Sequence, residues 1–323
     1  IQLNNFNVGR LVKQEANLGR VTATGKITGT GTDPKYMSAK FSVMAQKAEL
    51  KKYAYRNLVL NGNIVKQNVT AFAKMNDQNL KLNLNAKANI STTYPSVNLV
   101  LEVDSANLRA LKLYNEDLRF RGRVIANMPS TNPDKLIGTI NASNLLVATK
   151  GKRYQLDSIN MVATAQGDQK DLRVRSPFLS ANLTGQYKLT EIANVLTNEI
   201  NKYFKIGDGR PLPVSETHNF SFAVNAQNHP ILQTFVPQLA RMEPVNIKGT
   251  YAETNSLSLT GTAPQVVYNG NTIDNIRLNL NTTGKVLNYS VNIDKISTAS
   301  LKVNKTTLEG KAENNRLDVN LNI

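Results

Sequence analysis

The chain has 323 residues, a formal net charge of +16, two histidines, and neither cysteine nor tryptophan. Because cysteine is absent, disulfides, thiolate nucleophiles and cysteine-bound zinc or iron-sulfur centres are excluded. A hydrophobic content of 41% is too high for a disordered chain and is enough for a sizeable core. The sequence has no run of roughly 18 uncharged apolar residues, so it predicts no transmembrane helix.

Alternation of apolar and polar residues is the dominant pattern along the whole chain. It is longest from Leu80 to Ile90, where every second residue is aliphatic. A period of two places all the apolar side chains on one face of a strand. Roughly twenty such segments, separated by Gly, Asn, Asp or Ser, predict an all-β protein built from antiparallel hairpins with a few short helices.

Glycine recurs after an apolar-x-apolar-x run at a nearly constant interval. Successive positions are 60, 63, 64 and 61 residues apart, at Gly62, Gly122, Gly185, Gly249 and Gly310. This spacing predicts stacked β-meander modules at roughly 1–62, 63–122, 123–206 and 207–323 in a segment of a longer repeat protein. Chance spacing in a glycine-containing β protein is the alternative.

A second recurring phrase begins with a tyrosine and continues through Asn or Asp to an aliphatic residue. Examples run from Tyr55 to Leu58, from Tyr154 to Ile159 and from Tyr268 to Ile276. Because Asn and Asp favour turns, each phrase predicts a strand, a tight turn and the next strand.

Three segments predict helices. Apolar residues recur at helical spacing from Thr190 to Lys205, which predicts an amphipathic helix closing the third module. A second helix is expected from Asn228 to Met242 with a kink at Pro237, and a very short third helix from Ser105 to Leu113. We expect each helix to cover an end or an edge of the apolar sheet face.

About twenty strands of one polarity pattern could close into a barrel, pair into sandwiches, or run as one long curled sheet. The third arrangement is an elongated antiparallel β-meander curled into a taco-like groove with an aliphatic interior. Such a face cannot stay open to water, because apolar area costs about 25 cal/mol per Å² when exposed. Acyl chains fit a continuous aliphatic trough without sharp polar anchors.

The candidate binding residues are the apolar members of the alternating segments, which would line this groove collectively. They are Leu80, Leu82, Leu84, Ile90, Leu99, Leu101, Val103, Phe120, Ile140, Ile159, Met161, Val174, Phe220, Phe222, Val224, Leu257, Leu259, Ile276, Leu278, Leu280, Tyr289, Val291, Val319 and Leu321.

The sequence offers little for catalysis, metals, cofactors or nucleic acid. It has no nucleophile elbow and no phosphate loop, and His218 and His229 favour loop or cap positions over a metal site. Lys and Arg are spread along the strands and do not cluster with aromatic residues, which favours a solvated outer face over a nucleic-acid surface. We therefore expect no enzyme and no cofactor.

The order of several phrases resembles the TamB proteins of the AsmA-like superfamily, most closely those of the Bacteroidetes. The resemblance covers about residues 103 to 204, and no single motif in it is diagnostic. The phrases are Val103 to Leu113, Leu118 to Gly122, Gly138 to Ala142, Tyr154 to Ile159, Leu172 to Ser176, and Leu183 to Leu189 with a helix behind it.

This resemblance implies an interior segment of a periplasmic envelope protein of a Gram-negative bacterium. It implies a groove that binds phospholipid acyl chains and supports lipid transport to the outer membrane and protein assembly there. It also implies an outer-membrane barrel partner of the TamA/BamA type and an inner-membrane anchor, both engaged through regions outside this segment.

A protein of another class remains the alternative. Tandem β-sandwiches on a cell surface, with a structural or adhesive role and no lipid cargo, would show the same alternation. In that case the aliphatic face would be a closed core.

Overall fold

The computed structural model describes residues 1–11, 13–31, 33, 35–254 and 256–323, with Ser256 in its backbone only. Strands account for 65% of the chain and helices for 7%. The predicted all-β class is therefore confirmed.

The chain divides into two compact units. Unit 1 comprises Ile1–Asn132 and Ile137–Asn160, and unit 2 comprises Pro133–Leu136 and Met161–Ile323. The elements of unit 1 are β1 (Gln2–Asn7), α1 (Val8–Leu11), β2 (Leu18–Thr30), β3 (Ser38–Leu50), β4 (Tyr53–Val65), β5 (Asn68–Asn76), β6 (Leu80–Asn89), β7 (Ser96–Asn107), β8 (Arg119–Ser130) and β9 (Ile137–Thr149).

Strand β10 (Lys152–Gln166) contains the point of division between Asn160 and Met161. The remaining elements belong to unit 2. They are β11 (Gln169–Arg175), β12 (Leu179–Gln186), α2 (Ile192–Asn201), β13 (Asn219–Ala226), α3 (Leu232–Phe235), β14 (Leu239–Met242), β15 (Val245–Ala252), β16 (Ser256–Tyr268), β17 (Asn271–Thr283), β18 (Val286–Ser297), β19 (Lys302–Glu313) and β20 (Arg316–Asn322).

The strands form one antiparallel meander sheet that is not closed. Strands next to each other in sequence pair with each other, as expected for short hairpin connections. One local exception occurs in unit 2, where β13 pairs with β15 and the short β14 pairs with the end of β16.

Register places the apolar residues of unit 1 in rows that cross the sheet from strand to strand. One row comprises Gly25, Val43, Leu60, Ala73, Leu84, Leu101, Val124 and Ala142. The next row comprises Ile27, Phe41, Gly62, Ala71, Ala86, Leu99, Ala126 and Ile140. We call the surface formed by these rows the apolar face of unit 1.

Unit 2 has the same construction over nine strands. One row comprises Val174, Ala181, Val224, Ile247, Gly261, Leu278, Val291, Leu308 and Leu321. The adjacent row comprises Leu172, Leu183, Phe222, Gly249, Leu259, Leu280, Tyr289, Gly310 and Val319. These rows form the apolar face of unit 2.

Single left-handed residues shift the alternation inside long strands. Asn57 has a φ of 53° within β4, and the apolar side chains change from Tyr53 and Tyr55 before it to Leu58 and Leu60 after it. Tyr55 packs in the same cluster as Met75, the partner of Leu58, so both halves of β4 use the same face. The turn predicted from Tyr55 to Leu58 is therefore wrong.

The turn predicted from Tyr154 to Ile159 is also wrong, because these residues lie inside β10. From Tyr268 to Ile276 the prediction is confirmed, because β16 ends at Tyr268, a turn follows at Asn269 and Gly270, and β17 begins at Asn271. In β4, Asn57 tolerates the left-handed region, so that strand continues where the sequence predicts a turn.

We expect Asn57→Val to lower the free energy of unfolding by about 1 to 3 kcal/mol, because a β-branched residue is strained at positive φ. Asn57→Gly should stay close to the wild type. Asn63→Val is the matched control, since Asn63 lies in the same strand outside the positive-φ residues. Urea unfolding measures all three, and equal stability of the valine and glycine variants would contradict the assignment.

Three of the recurring glycines leave room for an aromatic ring from the neighbouring strand. A Cβ added at Gly249 would lie 2.6 Å from Cζ of Phe222, and this close approach explains why glycine is needed. The directly opposed pairs are Phe41 with Gly62, Phe222 with Gly249, and Tyr289 with Gly310.

The glycines that end the first two predicted modules lie inside strands. Gly62 is within β4 and Gly122 is within β8, so these two module boundaries do not coincide with strand ends. The repeat of modules itself stays a prediction.

Gly249→Ala should lower the free energy of unfolding by about 1 to 3 kcal/mol, because the new methyl group overlaps the Phe222 ring. Gly261→Ala in β16 is the control, because its added Cβ would meet Leu278 at an ordinary 3.4 Å. Combining Gly249→Ala with Phe222→Leu should recover part of the loss. Additive effects in this double-mutant cycle, measured by urea unfolding, would show that the ring is not the cause.

The predicted helices are shorter than expected. The first is α2, within the predicted range. The second is a single turn, α3, and the residues after Pro237 form β14, because the chain extends there to pair with β16. The third is not a helix: β7 continues to Asn107, and turns follow.

Candidate functional site

The two apolar faces are the candidate binding surfaces, and register places most of the predicted lining residues on them. In unit 1 these are Leu82, Leu84, Leu99, Leu101, Val103 and Ile140, with Leu80 and Phe120 in the adjoining cluster. In unit 2 they are Val174, Phe220, Phe222, Val224, Leu257, Leu259, Ile276, Leu278, Leu280, Tyr289, Val291, Val319 and Leu321.

Three predicted residues need separate placement. Ile159 and Met161 alternate in β10 with Asn160, whose side chain is hydrogen-bonded to Asn141 on the polar face. Both therefore point to the apolar side of β10. Ile90 follows the last residue of β6 and is exposed.

Much of the apolar surface is only partly covered. The accessible surface totals 19618 Å², whereas two compact domains of half this chain length would expose roughly 8,000 Å² each. Most large side chains of the rows, such as Leu84, Leu99 and Leu278, are half-buried. Neighbouring side chains in the sheet reduce one another's solvent exposure but leave one another half-buried, whereas the packing of a sandwich core would bury them.

One end of the apolar face of unit 1 is covered by the connection between β7 and β8. Leu111 in this connection is only 1% exposed and packs with Tyr55, Val103 and Ala106. The backbone N–H of Leu108 donates to the carbonyl of Leu118 at 2.9 Å and closes the connection. Val103 therefore belongs to a core and does not line an open groove.

Helix α2 covers part of the apolar face of unit 2, as expected from the sequence. Val195 packs with Phe220, Tyr251 and Leu257, which are all buried. Phe220 and Leu257 were predicted to line the groove, but α2 removes them from contact with a ligand. Just after the helix, Tyr203 packs with two further buried residues of the sheet, Leu287 and Ala312.

A strap of residues 212–218 ties α2 in place on its outer side. Asn198 exchanges two hydrogen bonds with the backbone of Leu212, at 2.8 and 2.9 Å. Glu191 accepts from both the hydroxyl and the backbone N–H of Ser215, and these bonds are the main cause that lowers the pKa of Glu191. The cover is thus held by polar contacts outside and apolar contacts inside.

Buried polar groups at both covers have partners. Glu199 is 1% exposed and accepts from Lys202 at 2.6 Å and from the Tyr203 hydroxyl at 3.1 Å. In unit 1, buried Asp77 accepts from the Tyr53 hydroxyl at 2.6 Å, and burial followed by this bond raises the pKa of Tyr53. These groups are saturated by structural bonds and offer no anchor to a ligand.

The opposite face is polar and explains the abundance of Asn, Ser and Thr. Short side chains hydrogen-bond across the strands, which contributes to pairing where packing is weak. Examples are Ser42 with Asn61 at 2.6 Å, Asn89 with Asn68 at 2.9 Å, Asn225 with Asn246 at 2.6 Å, and Thr307 with Asn292 at 3.1 Å.

Lys87 is a lysine of the polar face that stands beside neutral neighbours, whereas Lys47 lies opposite Arg56 and Lys311 opposite Asp318. Lys87 lies between Thr70 and Asn98 across the strands, which keeps like charges apart. The basic charge is therefore distributed over this face.

The polar face of unit 2 also has shallow cavities of about 420 and 390 Å³, each lined by several asparagines. Asn246 and Lys248 line the first, and Asn281 and Lys311 line the second. These amides and ammonium groups suit water or polar molecules and do not suit acyl chains.

The two histidines occupy structural positions. His218 is buried, with Nδ1 2.7 Å from the carbonyl of Glu216 and Nε2 3.2 Å from the backbone N–H of Lys188. The His229 ring lies 5.5 Å from that of Phe178. Within the described residues, no group of three His, Asp or Glu side chains is placed to hold a metal ion. In the part of the chain that the structure describes, no helix is long and apolar enough to cross a membrane.

The sequence did not single out several members of the apolar rows or the burial of Leu111. Phe41 and Val43 are two residues apart, as are Leu58 and Leu60, so Phe41, Val43 and Leu60 carried the same period of two as the predicted residues. Leu111 carried no such signal, because its burial depends on how the connection folds back over distant strands.

Comparisons with protein-family models, curated proteins and solved structures found no match for this chain. The resemblance to the TamB proteins therefore stays a prediction, and the class of the protein rests on its open β-meander with two partly covered apolar faces.

Tyr187 reports on the α2 cover. It is 4% exposed, and burial, with a smaller effect of Asp171, raises its pKa to about 12. The unfolded chain ionises this phenol near pH 10, so its stabilising effect is complete below pH 10 and is lost as pH rises towards 12.

We expect wild type to lose up to about 2 to 3 kcal/mol more than Tyr187→Phe between pH 9 and pH 12. Urea unfolding at both pH values measures the difference. Equal losses in the two proteins would mean that Tyr187 is accessible and α2 does not cover it.

Proposed function

We propose that the apolar faces bind lipid acyl chains without covalent or catalytic chemistry. The observation that carries this proposal is the continuity of the aliphatic rows, eight strands wide in unit 1 and nine in unit 2. Burying apolar area contributes about 25 cal/mol per Å², so a partly exposed surface of this extent favours an apolar ligand.

Acyl chains suit this surface better than a compact ligand does. Apart from Phe41, Phe222 and Tyr289, the rows consist of aliphatic and small residues, and the buried polar groups beside them are already paired. A surface without fixed polar anchors binds a chain uniformly along its length and gives it little orientation preference. Uniform weak binding is what movement along a groove requires.

We further propose the setting implied by the TamB resemblance. The chain would be a segment of a periplasmic envelope protein of a Gram-negative bacterium that supports phospholipid transport to the outer membrane and protein assembly there. Its outer-membrane barrel partner and inner-membrane anchor would engage other regions of the protein. This setting rests on the order of sequence phrases alone.

Photo-crosslinking with a probe at Leu84 or at Asn85 tests acyl-chain binding. Leu84 lies in a row of the apolar face, and Asn85 is its exposed neighbour on the polar face. We expect covalent phospholipid at Leu84 and none at Asn85 when the protein is labelled in cells. Lipid at both positions, or at neither, would contradict the proposal and favour a structural or adhesive β protein.

A charge on the apolar face should impede binding. We expect Leu84→Asp to reduce the recovered lipid about tenfold, because a carboxylate in an apolar surface is poorly solvated. Asn85→Asp adds the same charge on the opposite face and should leave recovery unchanged. Similar losses in both variants would assign the effect to charge in general.

A further inference from the structure

The two ends of the strands in unit 1 differ in whether the apolar face is covered there. At one end the connection carrying Leu111 covers the face. At the other end lie three loops, of which the structure describes residues 31, 33, 35–37, 66–67 and 90–95, because antiparallel strands return to the same edge at every second connection. We call these three loops the loop edge.

The loops of the loop edge are joined to one another. The backbone N–H of Lys66 donates to the carbonyl of Met37 at 3.0 Å, and that of Ile90 donates to the carbonyl of Gln67 at 2.9 Å. The side chains that these loops carry are therefore presented on one continuous border.

This border combines exposed apolar and aromatic groups with lysines. Val65, just before the second loop, is 45% exposed, and Tyr36, Ile90 and Tyr94 are 66%, 41% and 47% exposed. Tyrosine has an apolar ring and a polar tip, which suits the boundary between an acyl chain and water.

Two of the exposed groups on the loop edge are cations. The Nζ of Lys35 lies 5.3 Å from the centre of the Tyr36 ring, and Lys66 sits at a positive φ in the next loop. Neither lysine forms an ion pair with a described residue. The one acid of these loops, Asp33, accepts from the backbone N–H of Lys35 at 2.8 Å.

We infer that the loop edge binds the anionic phosphate head group of a phospholipid whose acyl chains lie on the apolar face of unit 1. The inference rests on the proposed acyl-chain binding and adds an orientation to it. Small residues near this edge, such as Ala39, Ala71 and Ala88, leave space for the chains beside the head group.

The opposite end of unit 1 also has lysines, but the covering connection separates them from the open rows. Lys51 and Lys52 form the turn between β3 and β4, and Lys112 donates to the carbonyl of Lys52 at 2.7 Å. A head group there would place its acyl chains against the covered cluster around Leu111. These lysines therefore provide a control with equal charge.

The test compares two double variants of the full chain, Lys35→Gln with Lys66→Gln at the loop edge, and Lys51→Gln with Lys52→Gln at the covered end. Each protein is incubated with vesicles that carry a fluorescent acyl-labelled phosphatidylglycerol or phosphatidylcholine, and the co-purified lipid is measured. We expect about a tenfold loss of phosphatidylglycerol from the loop-edge variant alone, with phosphatidylcholine unchanged in both.

Equal losses of phosphatidylglycerol from both double variants, or a loss of phosphatidylcholine as well, would overturn the inference and leave acyl-chain binding intact. Binding of inorganic phosphate that the loop-edge variant loses, while its recovery of phosphatidylglycerol stays at the wild-type level, would assign the lysines to free phosphate and overturn the lipid head group. If wild type recovers neither lipid, the proposed function fails, and the inference fails with it. Urea unfolding midpoints equal to that of wild type confirm that the exchanged lysines did not change folding.

Discussion

The constraint on which the structure depends is that every strand must place its apolar residues on the same face of one sheet. Because side chains alternate with a period of two, a slip of one residue in any pair would move aliphatic groups into the polar face. Rows such as the one from Val174 to Leu321 persist because register is kept through strand after strand. Pairing, exposure and the candidate site all follow from this agreement of register.

Long strands satisfy the constraint with two local devices. Asparagines at positive φ, such as Asn57, shift the alternation by one residue, so that the apolar side chains before and after them lie on the same face of the sheet. Glycines such as Gly249 accept the ring of an opposing aromatic residue, so a large side chain fits without spreading the strands. Both devices act on the backbone, and they let the sheet keep its pairing while the side chains vary in size.

The covers divide each apolar face into a closed part and an accessible part. The connection with Leu111 and helix α2 bury Val103, Phe220 and Leu257 in small cores, which hold the sheet where a ligand does not reach. In the remaining rows the side chains are covered only by their neighbours in the sheet and stay half-buried. Bound acyl chains would bury the most additional apolar area there. Structural packing and the proposed binding therefore use different parts of the same face.

The amino-acid sequence by itself determined the fold class and the membership of the apolar face, because alternation is a local property that register preserves. Leu84 and Leu278 could be assigned to this face from their neighbours alone. Tertiary structure decided which of these residues stay accessible, since the burial of Phe220 depends on α2 and that of Val103 on Leu111. It also decided that the strand continues from Tyr55 to Leu58. An Asn at positive φ fits both a turn and the interior of a strand, and only the pairing with the neighbouring strand selects between the two.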